Sequence, residues 1–235
     1  MALAILFFFP FVIMVATSLK TATESVQLEF TLFPETFQWQ NYPLVFSTIN
    51  FLRMYLNTAL VAVCIALGQV SLSSMAAFAF ARLDFPLKRT LFMLVLAILM
   101  IPGQVTLIPN YLIINRLGWL NTYSALIVPN LFSAFGTFFL RQQYMGIPAS
   151  LDEAAKIDGA NPFQIFYKIC LPQTYNGILA FAVLSLIFGW NMFLWALIMT
   201  TDESMYTLAV GLNFFQGQYE VNVPLMFAAA VMSVT

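Results

Sequence analysis

The sequence predicts an all-α membrane protein, because its composition, the length of its apolar stretches and its scarcity of charge all indicate a lipid environment. Hydrophobic residues make up 61% of the chain and charged residues only 8%, whereas about a quarter of the residues in soluble proteins are charged. A bilayer core requires roughly 20 mostly apolar residues per helix. We therefore expect a single membrane domain over residues 1–235 with about six transmembrane helices.

Six apolar stretches separated by short polar segments are the candidates for these helices. They are Ala2–Thr17, Met54–Phe80, Thr90–Ile114, Thr122–Leu140, Asn176–Met199 and a last stretch that opens near Pro224. The first and last stretches are shorter than a full crossing requires, so we expect both to be truncated spans. A secretory signal is the alternative for the first stretch, but the positive residues that begin such a signal are missing.

The basic residues predict the orientation of the chain, because Lys and Arg are retained on the cytoplasmic side of a membrane. One set of loops holds Arg82, Lys88, Arg89, Arg141, Lys156 and Lys168. The opposite set holds Lys20, Arg53 and Arg116 together with the acids Glu24, Glu29, Glu35, Asp202, Glu203 and Glu220. We expect the 82–89 turn and the 141–172 segment to face the cytoplasm, and residues 19–52 and 200–223 to face outside.

The residues that the chain lacks exclude several functions. Histidine is absent, which removes the commonest proton shuttle and metal ligand. No charged residue lies near the middle of a predicted span, which disfavours proton coupling. The sequence has no G-x-x-x-x-G-K-[ST] motif, so we expect no ATP hydrolysis by this chain. Its scattered cations provide no face for nucleic acid, and Cys64 and Cys170 have no close partner for a disulfide or metal site.

Uncharged polar residues and helix breakers do occur within the predicted spans. They are Asn57, Gln69, Ser71, Ser73, Ser74, Pro102, Gly103, Gln104, Pro109, Pro129, Asn130 and Asn191. Irregular backbone at membrane depth is tolerated where it packs on protein or lines a wet cavity. The break at 101–104 is therefore either a kink that shapes the bundle or part of a solute path that includes Gln104 and Asn130. The small residues from Ser71 to Ala77 indicate close helix packing.

The fifth stretch carries a second candidate for the solute path. Trp190, Asn191 and Trp195 place two indoles and an amide within about two helical turns. Aromatic faces and uncharged amides suit a neutral carbohydrate. The alternative is an aromatic belt at the membrane interface with one interhelical hydrogen bond from Asn191.

Residues 147–172 predict two short amphipathic helices joined by a tight turn. Ser150 and Glu153 form the pattern of a capping box, which predicts a first helix from Leu151 to about Asp158. Asp152 and Glu153 place negative charge at the positive end of the dipole of this helix. Gly159 fits the left-handed position that ends a helix. Asn161, Pro162 and Gln164 then fit the cap, the first position and the capping-box position of a second helix. We expect Pro172 to end it.

The apolar residues of this helix-turn-helix need a partner surface. They are Leu151, Ala154, Ala155, Ile157, Phe163, Phe166 and Ile169. The surface could lie on lipid, pack against the ends of the chain's own spans, or insert into a groove on a cytoplasmic partner. DNA binding is disfavoured, because two lysines stand against three acids in the segment.

The stretch EAAKIDGANPFQIFYKICLP, from Glu153 to Pro172, resembles the EAA coupling loop of ATP-binding-cassette (ABC) importer permeases. The run from Ile157 to Ala160 is similar to the carbohydrate branch, of the maltose and glycerol-phosphate type. Further stretches resemble the same family: ARLDFPLKR at 81–89, MIPGQVTLIPNY at 100–111, FLRQQYMGIP at 139–148 and WNMFLWAL at 190–197.

The resemblance implies a permease subunit in a bacterial or archaeal inner membrane, with a cytoplasmic coupling loop at residues 145–172. Its partners would be a second permease, identical or similar, two ATPase subunits and an external solute-binding protein. Glu153, Ala154, Ala155, Asp158 and Gly159 would dock in the ATPase, which would bind the ATP and Mg²⁺, so no cofactor is expected in this chain. Mono- or oligosaccharides suit the uncharged spans, while glycerol phosphate would need cationic groups, which the partner permease could supply.

Two other functions compete with this interpretation. A secondary, ion-coupled transporter is disfavoured by the uncharged spans and by the short chain. An intramembrane enzyme is disfavoured because the spans contain no histidine, acid pair or H-E-x-x-H motif.

Overall fold

The chain is helical in both of its compact units. The computed structural model of the protein describes residues 2–25, 27, 31–213, 215 and 222–234, and no β-strand occurs among them. One unit comprises residues 1–59 and 196–235, and the other comprises residues 60–195. Glu29 and Glu220, which we predicted to face outside, lie beyond the described residues.

The helices follow the predicted order of apolar stretches. The chain begins with α1 (Ala2–Ser18), α2 (Ala22–Ser25), α3 (Asn41–Thr48) and α4 (Phe51–Arg82). It continues with α5 (Lys88–Ile98), α6 (Gly103–Arg116), α7 (Tyr123–Ile127), a 3-10 turn (Val128–Asn130) and α8 (Ala134–Met145). Next come α9 (Ala149–Ile157), α10 (Pro162–Ile165), a π-helical turn (Phe166–Cys170) and α11 (Leu171–Gln173). The last elements are α12 (Tyr175–Trp190), α13 (Leu194–Met199), a 3-10 turn (Glu203–Met205), α14 (Leu208–Asn213) and α15 (Val223–Val234).

Two stretches of the described chain are long and apolar enough to cross a membrane. They are α4, with 32 residues, and the continuous 23-residue stretch Tyr123–Met145 that contains α7 and α8. Two bent helix pairs, α5 with α6 and the 162–173 helix with α12, bring the number to four if each pair is one span. The terminal helices α1 and α15 are apolar but shorter.

The predicted span Thr90–Ile114 is broken into α5 and α6, which are bent by 97°. The break falls at the predicted 101–104 site. Pro102 has extended backbone (ψ 131°) and caps the start of α6. A proline has no N–H that could continue the hydrogen bonds of α5. It also disfavours helical backbone in the residue before it, so α5 has to end before Pro102.

The predicted span Asn176–Met199 is also interrupted. The helix α12 ends at Trp190 and α13 begins at Leu194. The Asn191 side chain donates from Nδ2 to the Ile187 carbonyl at 2.9 Å. Asparagine side chains compete with the helical backbone for such bonds, so Asn191 suits the end of a helix better than its interior.

In the unit of residues 1–59 and 196–235, α15 packs against α1 and α3. The start of α4 holds the 200–208 segment through polar side chains. Asn57 Nδ2 donates to the Ser204 and Tyr206 carbonyls, each at 2.9 Å, and Thr58 Oγ1 accepts from the Leu208 N–H at 2.7 Å. Hydrogen bonds from the Ser204 side chain and backbone lower the pKa of Asp202, which caps the adjacent 3-10 turn.

In the unit of residues 60–195, small residues allow close helix contacts. Ser73, Ser74 and Ala77 of α4 are buried, as the small-residue pattern predicted. Ser71 is exposed, so it does not share in the predicted packing within this unit, although it neighbours Ser74 on the helix. On α12, Gly189 lies directly against the α4 backbone at Ala62.

The Gly189→Ala substitution is expected to destabilise the protein. A Cβ at this position would lie 2.7 Å from Ala62 Cα and 3.2 Å from Ala62 Cβ, so backbone has to move. We expect a loss of about 1–3 kcal/mol, the usual cost of overpacking, measured as a lower midpoint of thermal unfolding in detergent. The control is Gly103→Ala, where the added Cβ meets open space. Equal midpoints for the two variants would contradict the close α4–α12 contact.

Candidate functional site

The helix α9 starts earlier than the sequence pattern predicted. It begins at Ala149, directly after Pro148, whose backbone is extended (ψ 131°). The predicted Ser150 cap and Ser150–Glu153 capping box are wrong, because Ser150 is already the second residue of the helix and no side chain caps its start. The predicted acid in the first turn is present as Asp152, which is buried.

The end of α9 is a left-handed turn, as predicted for Gly159. Its φ is +81°, a conformation that is unfavourable for residues with a Cβ. The Gly159 N–H bonds to the Lys156 carbonyl at 3.0 Å, and the Ala160 N–H bonds to the Ala155 carbonyl at 2.9 Å. This pair of bonds is a Schellman motif, which satisfies the last carbonyls of α9 and fixes the direction of the following chain.

The second helix begins as predicted and ends later than predicted. Asn161 and Gln164 form a reciprocal capping box with both bonds at 2.9 Å, and Pro162 occupies an early helical position. Pro172 does not end the helix. The short helix α11 starts directly after the π-helical turn, and Pro172 lies in its first turn, where a proline is tolerated because no backbone N–H is needed there. The chain bends by 81° between the 162–173 helix and α12 instead.

The inner face of the 145–172 segment packs on the ends of α4 and α8. Phe166 is 7% exposed, and its ring centroid lies 5.2 Å from that of Phe78 and 6.4 Å from that of Tyr144. Ile165 and Cys170 are buried in the same cluster, with Ile169 packed at its edge. Phe166 and Ile169 therefore pack against the chain's own helices, which were one of the three partner surfaces considered for the apolar residues of this segment.

The outer face of the segment remains exposed. Ile157, Phe163 and Tyr167 are 86%, 68% and 63% exposed, and we call these three residues the outer apolar face. Of the residues predicted to contact an ATPase, Glu153, Ala154, Asp158 and Gly159 are exposed and Ala155 is partly buried against the inner cluster. The surface thus combines apolar side chains with two acidic groups, Glu153 and Asp158, and two basic groups, Lys156 and Lys168.

Two arginines join the C-terminal ends of α4 and α8. Arg82 Nη2 donates to the Tyr144 and Ile147 carbonyls at 2.6 and 2.5 Å, and Arg141 Nε donates to the Phe80 carbonyl at 3.2 Å. Arg82 Nη1 also lies 3.2 Å from Asp152 Oδ2 of α9. Cations are favourable at the C-terminal ends of helices and carboxylates at the N-terminal ends, so all three helix ends are matched in charge.

A cavity of about 490 Å³ lies within the 60–195 unit. Its polar lining comes from Gln69, Asn130, Ser133 and Ser185, and its aromatic lining comes from Phe132, Phe135, Phe181 and Phe188. The remaining lining residues are Ile98, Leu99, Ile101, Gly103, Ala134 and Leu184, so none of the lining residues is charged. This combination of ring faces, amides and hydroxyls suits an uncharged polar ligand.

Asn130 is the one predicted solute-path residue that lines this cavity. Its Nδ2 donates to the Leu126 carbonyl at 2.9 Å. Gln104 is exposed and lies beside the lining residue Gly103. Asn191 bonds back into its own helix, and Trp195 Nε1 donates to the Ala125 carbonyl at 3.0 Å. Neither these two residues nor Trp190 is among the lining residues.

Ser185 was not among the residues predicted for the solute path, yet it lines the cavity. The residue is 2% exposed, and its Oγ makes no hydrogen bond with a described residue. Gln69, noted only as a polar residue, donates from Nε2 to the Asn130 carbonyl at 2.9 Å. The signal for Ser185 was present in the sequence, as a lone hydroxyl in the apolar run from Ile178 to Phe188.

Comparison with known proteins places the chain among transport proteins. The family described as "Binding-protein-dependent transport system inner membrane component" matches residues 69–235. The chain is 35% identical over 212 residues to the sn-glycerol-3-phosphate transport system permease protein UgpE of Rhizobium meliloti, covering 87% of this chain and 75% of that protein. It is 32% identical over 229 residues to the arabinooligosaccharides transport system permease protein AraQ of Halalkalibacterium halodurans, covering 96% and 82%.

A solved structure has the same fold. It belongs to a bacterial ABC transporter involved in the import of the acidic polysaccharide alginate, and it matches with a TM-score of 0.85 over 99% of this chain and 88% of that chain. The sequence identity is 21%, so this likeness bears on the fold. The family match and the two permease relatives confirm the resemblance to importer permeases that the 153–172 stretch indicated. The chain therefore belongs to the family of binding-protein-dependent transport system inner membrane components.

Proposed function

We propose that this chain is a six-span permease whose 145–172 segment faces the cytoplasm and docks in an ABC ATPase. The outer apolar face carries the proposal, because three large apolar side chains stand more than half exposed on a firmly built helix-turn-helix. Such a surface requires a partner. The capping box and the Schellman motif keep the segment rigid, which suits an element that transmits force.

The chemistry of the segment favours a protein groove over the lipid surface. Segments that lie on membranes usually carry Lys and Arg beside their apolar face. The exposed charged residues of this segment are Glu153, Lys156, Asp158 and Lys168, so it has no excess of basic charge to attract anionic lipid headgroups. Glu153, Ala154, Ala155, Asp158 and Gly159 form the proposed ATPase contact, in which ATP and Mg²⁺ are bound by the ATPase.

The cavity is the proposed path of the solute. Its lining contains no cation to pair with a phosphate and no acid to carry a proton, so a sugar or a related neutral polyol fits it better than an anion does. The names of the relatives include an anionic solute, sn-glycerol 3-phosphate, and neutral ones, arabinooligosaccharides. The uncharged lining also disfavours the secondary-transporter alternative.

A complete importer would contain further subunits. We infer a second permease, identical or similar, an ATPase dimer and an external solute-binding protein, in a bacterial or archaeal inner membrane. In this assembly the chain forms one membrane domain over residues 1–235. Solute delivered from outside would reach the cavity when ATP binding draws the two ATPases, and with them the docked segments, together.

The Glu153→Lys substitution is expected to break the contact with the ATPase. Glu153 is exposed, so the substitution should leave the permease folded while it reverses a charge in the proposed contact. With the cognate ATPase and partner permease co-expressed, we expect copurified ATPase to fall at least about tenfold, which corresponds to roughly 1.4 kcal/mol. The control is Asp84→Lys, a charge reversal at an exposed position whose ion pair with Lys88 is at the surface. If Glu153→Lys retains as much ATPase as the parent, the docking role of this face fails.

The Ser185→Ala substitution is expected to weaken transport without affecting folding. The Ser185 hydroxyl is buried and makes no hydrogen bond with a described residue, so its removal breaks no internal bond; we propose that it meets the solute when the cavity opens during transport. A neutral hydrogen bond of about 0.5–1.5 kcal/mol predicts a rise in the KM of uptake of roughly two- to tenfold. Radiolabelled arabinotriose and sn-glycerol 3-phosphate are the test solutes, and we expect the sugar to be transported.

The matched control for Ser185→Ala is Thr207→Val. Its Oγ1 is another buried hydroxyl oxygen without a hydrogen-bond partner among the described residues, and Thr207 does not line the cavity. An unchanged KM in both variants would mean that the Ser185 hydroxyl does not contact the transported solute.

A further inference from the structure

The two helices that Arg82 joins are also walls of the cavity. Gln69 of α4 and Phe135 of α8 line the cavity, and α4 rises about 20 Å from Gln69 to Arg82 at roughly 1.5 Å per residue. The third helix at this junction is α9, through Asp152. One guanidinium thus links the 145–172 segment to two helices that line the cavity.

Capping alone does not explain the presence of Asp152. The Arg82 guanidinium already donates two hydrogen bonds, one to the Tyr144 carbonyl of α8 and one to the Ile147 carbonyl just beyond that helix. Burying a carboxylate beside it adds a desolvation cost, and a buried ion pair often contributes no more stability than apolar packing would. The Arg82 and Asp152 side chains are only 10% and 11% exposed. A role in positioning accounts for the pair better than a role in stability does.

We propose that the Arg82–Asp152 ion pair positions α9 against the ends of α4 and α8 and passes displacements of the 145–172 segment to the cavity walls. The proposal rests on the docking role proposed above for this segment. Asp152 acts here as a positioning residue, because its carboxylate contacts Arg82 and takes no part in the outer apolar face.

The contacts at the junction are unequal, which makes the proposal testable. Arg82 holds α8 by two bonds of 2.5–2.6 Å and holds α9 by a single 3.2 Å contact. Asp152 Oδ1 has no partner among the described residues. Asp152→Asn keeps the size of the side chain and removes its charge, so it should loosen α9 while α4 and α8 stay joined.

The first measurement is the distance between α8 and α9. Nitroxide labels at Gln142→Cys and Lys156→Cys, both exposed positions, report this distance by pulsed electron paramagnetic resonance, with Cys64 and Cys170 replaced by serine. We expect one narrow distance distribution in the parent and a broadened or shifted one in Asp152→Asn. The permease alone suffices for this measurement, so its result does not depend on an ATPase.

The second measurement is ATP hydrolysis by the assembled transporter in nanodiscs. Stimulation by the solute-binding protein should fall at least about fivefold in Asp152→Asn, the lower range of coupling between linked sites, while unstimulated hydrolysis persists. Asp152→Glu should restore part of the stimulation because it keeps the charge. A residue that only stabilised the fold would lower both activities together.

The matched control in both measurements is Asp84→Asn, which removes the same charge from an exposed ion pair near Arg82. The proposal is overturned if Asp152→Asn leaves the distance distribution and the stimulation unchanged, if Asp84→Asn alters them equally, or if Asp152→Asn prevents folding, since that would make the pair purely structural. Failure of the parent to bind an ATPase, with the expected change in distance, would instead refute the docking role and confine the pair to holding α9 in place.

Discussion

Arg82 and Arg141 hold the C-terminal ends of α4 and α8 together. The placement of the 145–172 segment and of two cavity walls in the 60–195 unit depends on this joint between the helix ends. Two helix C-termini side by side would place unpaired carbonyls and like partial charges next to each other. The crossed arginines supply donors and positive charge to both ends. The aromatic cluster of Phe78, Tyr144 and Phe166 then packs on the joined ends, and the 145–172 segment is built on that cluster.

The distribution of polar groups follows the same constraint. Among the described residues of the 60–195 unit, the buried carboxylate of Asp152 and its partner Arg82 lie at this joint, whereas the cavity lining is uncharged and consists of amides, hydroxyls, aromatic rings and aliphatic residues. Irregular backbone at Pro102 and in the 3-10 turn lies beside the cavity, where polar side chains and solute can satisfy freed backbone groups. With a neutral lining, the proposed solute path offers no charged group that could couple transport to a proton. In the proposed function, the energy for transport enters instead through the 145–172 segment.

The sequence predicted those features that depend on local chemistry. Gly159, Asn161 and the break at Pro102 were predictable because left-handed backbone, side-chain capping and the missing proline N–H act within a few residues. It did not predict contacts between residues that lie far apart in the chain. Asp152 was assigned to a helix dipole, yet its partner lies 70 positions earlier at Arg82. Ser185 was overlooked, and Trp195 bonds to Ala125 instead of lining the cavity, because only the folded helices bring these positions together.

Cross-linking from Ile157 tests whether the 145–172 segment docks in an ATPase, because this side chain is the most exposed member of the outer apolar face. The photoreactive residue p-benzoylphenylalanine would replace Ile157 in the complete transporter in native membranes, with Phe37, exposed in the other unit, as the control position. Docking of the 145–172 segment in the ATPase predicts an ATPase adduct from position 157 and none from position 37. Adducts to lipid alone from position 157 would contradict it, since the 145–172 segment would then lie on the membrane surface.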